Sequence, residues 1–165
     1  MPRVEAIPVE GGESTNGTFL SGTHRFVISV RAGGRYRVAV TWPSNLASPL
    51  ATPDAVLAEA PAEGLRIACA RGQRLAGRVD GEATSGFILD WLERRPPARG
   101  PDVHRSVRVA ADGRFAFAGL QEGDTFLYVS RPGDDRYAYL ESVRLPDDDL
   151  AIPLQEGLTI DGRVP

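Results

Sequence analysis

The chain has 165 residues, 42% of them apolar and 25% charged, with a formal net charge of -3. Eighteen glycines and 13 prolines favour many short strands and turns over long helices, and the lack of any basic block argues against nucleic acid as a partner. All 19 cations are arginines, which removes lysine-base and Schiff-base chemistry, no apolar run is long enough to span a membrane, and the single Cys69 excludes an intramolecular disulfide or a cysteine zinc set.

Taken in order, residues 4–9 and 18–20 read as opening strands, followed by strands at 26–30 and 35–41. The first fourteen residues carry neither a basic start with an apolar run nor a small-residue cleavage site, so no export leader is expected in this stretch. Residues 43–61 contain four prolines and read as an irregular crossing, with one helical turn over 54–59. Residues 65–69 are expected to close this part as a strand, which would hold Cys69 as a buried, inert thiol. Strands follow at 75–79 and 86–92. Residues 94–102, RRPPARGPD, are expected to be an exposed loop, since proline cannot donate to a ladder.

The clearest signal lies in residues 106–129. Val107 and Val109 alternate with polar neighbours, Asp112 and Gly113 interrupt, and Phe115 and Phe117 resume the alternation. Period two on both sides of Asp-Gly predicts a β-hairpin, with Gly113 at positive φ and the Asp112 side chain bonding the backbone two residues on. Gly119 to Gly123 predict a second reversal into a strand at 126–129, and strands at 137–143 and 150–154 complete the series.

The chain also repeats itself. Leu65, Ile67, Gly72, Leu75, Gly77, Arg78 and Val79 match Leu150, Ile152, Gly157, Ile160, Gly162, Arg163 and Val164 at a constant offset of 85. Arg25, Phe26, Val30, Gly33 and Tyr36 match Arg114, Phe115, Leu120, Gly123 and Phe126 at offsets of 89 to 90. The first copy lacks a counterpart of the strand that begins at Leu75. The expectation is an all-β chain of tandem antiparallel β-sandwich modules: residues 1–72 an incomplete first module, 73–157 a complete one, and 158–165 the opening strand of a truncated third.

These marks resemble the carboxypeptidase regulatory-like domain, a β-sandwich related to the transthyretin (prealbumin) fold. The resemblance rests on Gly77, Arg78 and Val79; on Asp112, Gly113, Arg114, Phe115 and Phe117; on Gly119 and Leu120; and on Gly123 with Phe126. It covers residues 73–154 well and 18–72 poorly, where Gly22, Thr23, His24, Arg25 and Phe26 replace the Asp-Gly turn. The resemblance implies a non-catalytic spacer or docking module of a larger cell-envelope or secreted repeat protein, partnered by neighbouring modules of the same chain. A carbohydrate-binding module and an accessory domain of a peptidase are the rival implications.

No catalytic, cofactor or metal residue is assigned. Hydroxyisourate hydrolases, which resemble transthyretin, need several histidines and a C-terminal Tyr-Arg-Gly-Ser; intradiol dioxygenases need two Tyr and two His in one site. This chain has only His24 and His104, in different expected modules, and no spacing that implies a Ser-His-Asp triad. Asp147, Asp148 and Asp149 read as a charged turn, because consecutive carboxylates cannot all face one ion, and Asp134 with Asp135 reads likewise. Trp91, Tyr137 and Tyr139 are candidate sugar-stacking aromatics or core, and Trp42, at a strand end beside Pro43, is expected to be exposed and the best single probe.

Overall fold

The computed structural model describes residues 2–20 and 23–157. Ser21 and Gly22, and the strand expected within 158–165, lie outside the described residues. The fold is all-β with several antiparallel sheets, as the composition and alternation imply.

In the first half, β1 (Arg3–Pro8), β2 (Thr15–Asn16), β5 (Arg35–Thr41) and β6 (Val56–Glu59) form one antiparallel sheet in the order β2-β1-β5-β6. Val4, Val38 and Val40 occupy inward positions and are buried, packed by half-buried Phe19, Phe26, Ile28, Leu65 and Ile67. A two-residue pair, β3 (Thr18–Phe19) with β4 (Phe26–Val27), sets Phe19 edge-on to Phe26 at 6.0 Å. The helical turn expected over 54–59 is instead strand β6. Its Ala and Leu favour helix, but Val56, Leu57, Ala58 and Glu59 pair with Val38, Arg37, Tyr36 and Arg35, and ladder pairing overrides a weak local preference.

In the second half two sheets share one core. β7 (Gln73–Asp80) lies between β10 (Arg114–Leu120) and β13 (Asp147–Pro153). The facing sheet runs β14-β12-β11-β8-β9, from β14 (Gln155–Glu156), β12 (Arg136–Glu141), β11 (Asp124–Ser130), β8 (Ile88–Arg94) and β9 (Val103–Arg108). Leu75, Val79, Phe115, Phe117 and Ile152 from one sheet meet Phe87, Leu89, Trp91, Leu127 and Val129 from the region of the other, all buried. The pairing is not wholly antiparallel: β13 runs parallel to β7.

The Asp-Gly turn has the expected chemistry and a different role. Gly113 sits at φ 82°, its N–H donates to Ala110 O at 3.0 Å, and Arg114 N–H donates to Asp112 Oδ1 at 3.1 Å. Yet β9 pairs with β8 and β10 pairs with β7, so the turn carries the chain from one sheet to the other and the expected hairpin is an inter-sheet corner. Phe115 and Phe117 point into the core, as the alternation requires.

Two further expectations are corrected. Residues 65–69 alternate half-buried and exposed as a strand would, but pair with nothing among the described residues. Residues 95–102 lie outside the ladders with Pro96, Pro97 and Ala98 exposed, as expected, but they are pinned rather than free. They hold a 3-10 turn (Pro97–Arg99), and Arg95, its side chain fully buried, reaches residues 52–54. Residues 44–55 thereby lie as a strap over one end of the second half. Ser106 N–H donates to Ser44 O at 2.8 Å, Ala55 N–H to Arg99 O at 2.9 Å and Gly72 N–H to Pro49 O at 2.9 Å. Gly119, at φ 73°, has no room for a Cβ because the strap carbonyls of Ser48 and Leu50 lie there.

The two halves share a strand order. In the first, β2-β1-β5-β6 follow one another across the sheet; in the second, β9-β8-β11-β12 do so, with the corresponding pairs antiparallel in both. β4 lies in the chain between β2 and β5 as β10 lies between β9 and β11.

Candidate functional site

Alternation along β8, β9, β11 and β12 sends one set of side chains into the core and the other to the outer face of the five-stranded sheet. The register places Tyr128 between Asp90 and Tyr139, and Leu92 between Phe126 and His104. Phe126 and Tyr139 stack with ring centres 5.9 Å apart, and the Arg94 guanidinium lies 4.7 Å from the Phe126 ring. Tyr128 and Tyr139 remain 43% and 49% exposed, which makes them the accessible aromatics of this face. Partial desolvation, reinforced by Glu141, pushes the Tyr139 phenol above its ordinary value.

Beside them lies a polar cluster that the sequence reading missed. Ser106 Oγ donates a short hydrogen bond to Asp90 Oδ1, and His104 Nε2 lies 3.0 Å from the same oxygen. His104 and Ser106 are two apart on β9 and so share a face, opposite the pair Leu92 and Asp90 two apart on β8; that spacing was visible, but the register that joins the strands was not. The geometry is not a relay. A triad needs the imidazole between hydroxyl and carboxylate, whereas here the hydroxyl proton goes directly to Asp90 and one imidazole nitrogen faces both oxygens. The cluster offers hydrogen bonds at an exposed surface.

At the β12 end of this face an open cleft of about 580 Å³ is lined by Tyr128, Ser130, Asp135, Tyr137 and Glu156. Its floor is fixed by Asp134. Arg136 donates to Asp134 through Nε at 2.9 Å, Nη2 at 2.8 Å and its backbone N–H at 3.0 Å, and Arg131 forms a further short ion pair. These donors, Arg136 first, hold the Asp134 carboxyl well below the usual range. Arg131 and Arg136 also cover the Phe87 ring at 4.7 and 5.5 Å.

The other singled-out residues lie apart from this face. Trp91 is core, 6.4 Å from Phe117. Trp42 is half-buried, its indole N–H donating to Ala51 O of the strap at 3.4 Å, so it is not the exposed probe expected. His24 is in an exposed bend between β3 and β4. Cys69 is half-buried, and burial pushes its thiol up, away from the reactive thiolate. Asp147, Asp148 and Asp149 open β13 rather than form a separate turn, with Asp148 3.2 Å from Arg74. Among the described residues no three His, Cys, Asp or Glu side chains gather as a metal set, and no helix is long and apolar enough to cross a membrane. Comparison with known proteins finds no family model, curated protein or solved structure that matches the chain.

A further polar site is the junction of strap and sheets. Arg95 Nη2 donates to Thr52 O at 3.0 Å, Asp54 Oδ1 at 2.8 Å and Gln121 Oε1 at 3.3 Å, and Nη1 donates to Pro53 O at 3.1 Å. Arg95 Nε is 3.0 Å from Glu93 Oε1, close enough for an ion pair but misaligned for a hydrogen bond. Arg105, also buried, donates to Leu50 O at 3.4 Å. Desolvation pushes the Glu93 carboxyl up against the opposing pull of Arg95 and Arg99.

Proposed function

We propose that this chain is a non-catalytic structural or docking segment, a rigid spacer within a larger tandem-repeat protein of carboxypeptidase regulatory-like type. The observation that carries the reading is the buried Arg95 joint, which ties residues 52–54 to β8 and to Gln121 and so leaves no free hinge between the halves. The shared strand order of the halves supports the repeat, and the sequence resemblance supports a cell-envelope or secreted setting. A spacer needs fixed geometry, and an arginine bonded to several strap oxygens supplies it because each lost bond would strand a buried polar group.

A rigid spacer should unfold as one unit. Calorimetry and urea titration of residues 1–165 are expected to give one cooperative transition with matching calorimetric and van't Hoff enthalpies. Residues 73–157 alone, deprived of the strap carbonyls that Arg95 and Arg105 bond, should not reach that stability, whereas residues 43–157 should approach it. Two separate transitions in the full chain would defeat the reading.

The cleft beside Tyr128 and Tyr137 favours a second reading, a carbohydrate-binding module. Phenol rings stack on pyranose faces, and the carboxylates of Asp135 and Glu156 can accept from sugar hydroxyls. Arg136, which also lines the cleft, is paired with Asp134, so the carboxylates of Asp135 and Glu156 make a rim that disfavours anionic glycans. A glycan array should then show neutral oligosaccharides retained, with Tyr128→Ala and Tyr137→Ala each weakening binding about tenfold. An array blank for neutral sugars would remove this reading.

A further inference from the structure

We infer that the outer face of the five-stranded sheet is a docking surface for a partner protein, and that the partner presents to it an arginine side chain, which stacks on Tyr128 and pairs with Asp90. The inference rests on the docking reading above and adds to it the face that is used and the chemistry that recognises it.

Register lays this face out as a grid. One row across it runs Ser106, Asp90, Tyr128, Tyr139, on β9, β8, β11 and β12 in turn, and the next runs His104, Leu92, Phe126, Glu141. Directly opposed residues on neighbouring strands have Cβ atoms about 5 Å apart, so Asp90 and Tyr128 stand side by side, and Tyr128 and Tyr139 likewise. The Asp90 carboxylate is held but not satisfied. Ser106 Oγ donates to Oδ1 and His104 Nε2 lies 3.0 Å from that same oxygen, which fixes the group while Oδ2 takes no hydrogen bond among the described residues. The Asp90 side chain is 32% exposed, open enough for a ligand to reach and dry enough that a charge beside it is only partly screened. A fixed carboxylate with a free oxygen, next to an accessible ring, offers a cation an ion pair and a π face together.

Charge and shape select the guanidinium. Asp124 and Glu141 add negative charge at the ends of the same strands, and the cations of the face lie off Tyr128: Arg94 is drawn onto Phe126 at 4.7 Å, and Arg108 sits opposite Ile88, two strands away. The Arg94 contact shows a guanidinium lying against a ring of this very sheet. Tyr128 has no such partner, since the other guanidinium contacts among the described residues, those of Arg131 and Arg136, are with Phe87. A planar guanidinium lies flat on a ring and turns its fork of donors to a carboxylate beside it, whereas a lysine ammonium is a compact, strongly hydrated point charge. A neutral sugar would use the Tyr128 ring but draw nothing from the charge of Asp90.

The test is an NMR titration of residues 1–165 with the blocked peptide acetyl-Thr-Thr-Arg-Thr-Thr-amide and with the same peptide carrying citrulline or lysine in place of arginine. The arginine peptide is expected to shift the amides of Asp90, Ser106, Tyr128 and Tyr139 with a dissociation constant near about 1 mM. Citrulline, which keeps the shape and loses the charge, should bind at least about tenfold more weakly, and lysine about threefold more weakly. Asp90→Asn keeps the oxygen that Ser106 bonds and removes only the charge; it should weaken binding about tenfold, as should Tyr128→Ala, while Tyr128→Phe retains it. No shift at this face up to about 10 mM peptide, citrulline or lysine binding as well as arginine, or binding untouched by Asp90→Asn would overturn the inference. Neutral oligosaccharides that bind at Tyr128 without loss in Asp90→Asn would overturn it too, and give the face to a glycan. Each of these results leaves the spacer reading standing, because that is judged by the single unfolding transition.

Discussion

Replacing Arg95 by alanine is expected to lower folding stability by about 3–5 kcal/mol, read as a large fall in the urea midpoint, because it strips buried Glu93 of its ion-pair partner and leaves only the through-space pull of Arg99 and Arg105. The side chain is fully buried and Glu93 is 2% exposed, so water cannot take over the lost contacts. Thr52 O and Pro53 O lose their donors at the same stroke, and each stranded acceptor adds to the cost. The loss should depend on pH in a particular sense. Burial already raises the Glu93 carboxyl, and Arg95 is the strongest of the groups that hold it down. Without Arg95 the folded-state value rises further. A carboxyl with a raised folded value contributes its stability below the unfolded value and loses it as pH climbs through the folded one. Arg95→Ala should therefore be mildest in acid and worsen toward neutral pH, and adding Glu93→Gln should recover part of the loss and flatten the slope. Equal damage at every pH would mean that Glu93 is not the group left unpaired.

The strand signals were legible wherever one face of a strand is buried and the other wet. Residues 35–41, 75–79 and 126–129 alternate or run apolar, and all are strands. The glycine and aromatic spacing suggested a repeat, and the strand order is the same in both halves. What a local pattern cannot carry is the partner of a strand. Asp112 and Gly113 fix the bend of the chain, but whether the next strand pairs back or crosses to the opposite sheet depends on Phe115 and Phe117 having a second sheet to face. The same limit hid the cluster of Asp90, His104 and Ser106, which exists only through the register of β8 with β9. Residues 94–102 misled in another way. Proline excluded a strand correctly, yet Arg95, just ahead of the prolines, found carbonyls of the strap, and its burial followed from those bonds rather than from composition. Trp42 was drawn inward by the same strap.

The parallel contact of β13 with β7 sets the remaining expectation, that Gly77→Val is among the most damaging single substitutions in the protein. Gly77 is absent from the residues at positive φ, so conformational freedom is not its role. Its role is space. A Cβ there would overlap the carbonyl of Leu150 and lie 2.8 Å from its carbonyl carbon and 2.9 Å from its nitrogen, and all three are backbone atoms that cannot rotate aside. β13 already has an irregular register between Asp147 and Leu150, so it can yield only by leaving the ladder, which would uncover Ile152, a fully buried core residue. Overpacking of this kind costs about 1–3 kcal/mol where side chains can adjust, and the upper end or beyond is expected where only backbone can move. Gly77→Ala should lose most of what Gly77→Val loses, since the first carbon makes the clash, whereas Ala76→Gly beside it should cost only about 0.5–1 kcal/mol through chain entropy. Exchange protection of residues 150–153 should fall in Gly77→Ala before that of β8 and β11. An unchanged midpoint would mean that Leu150 does not lie against Gly77.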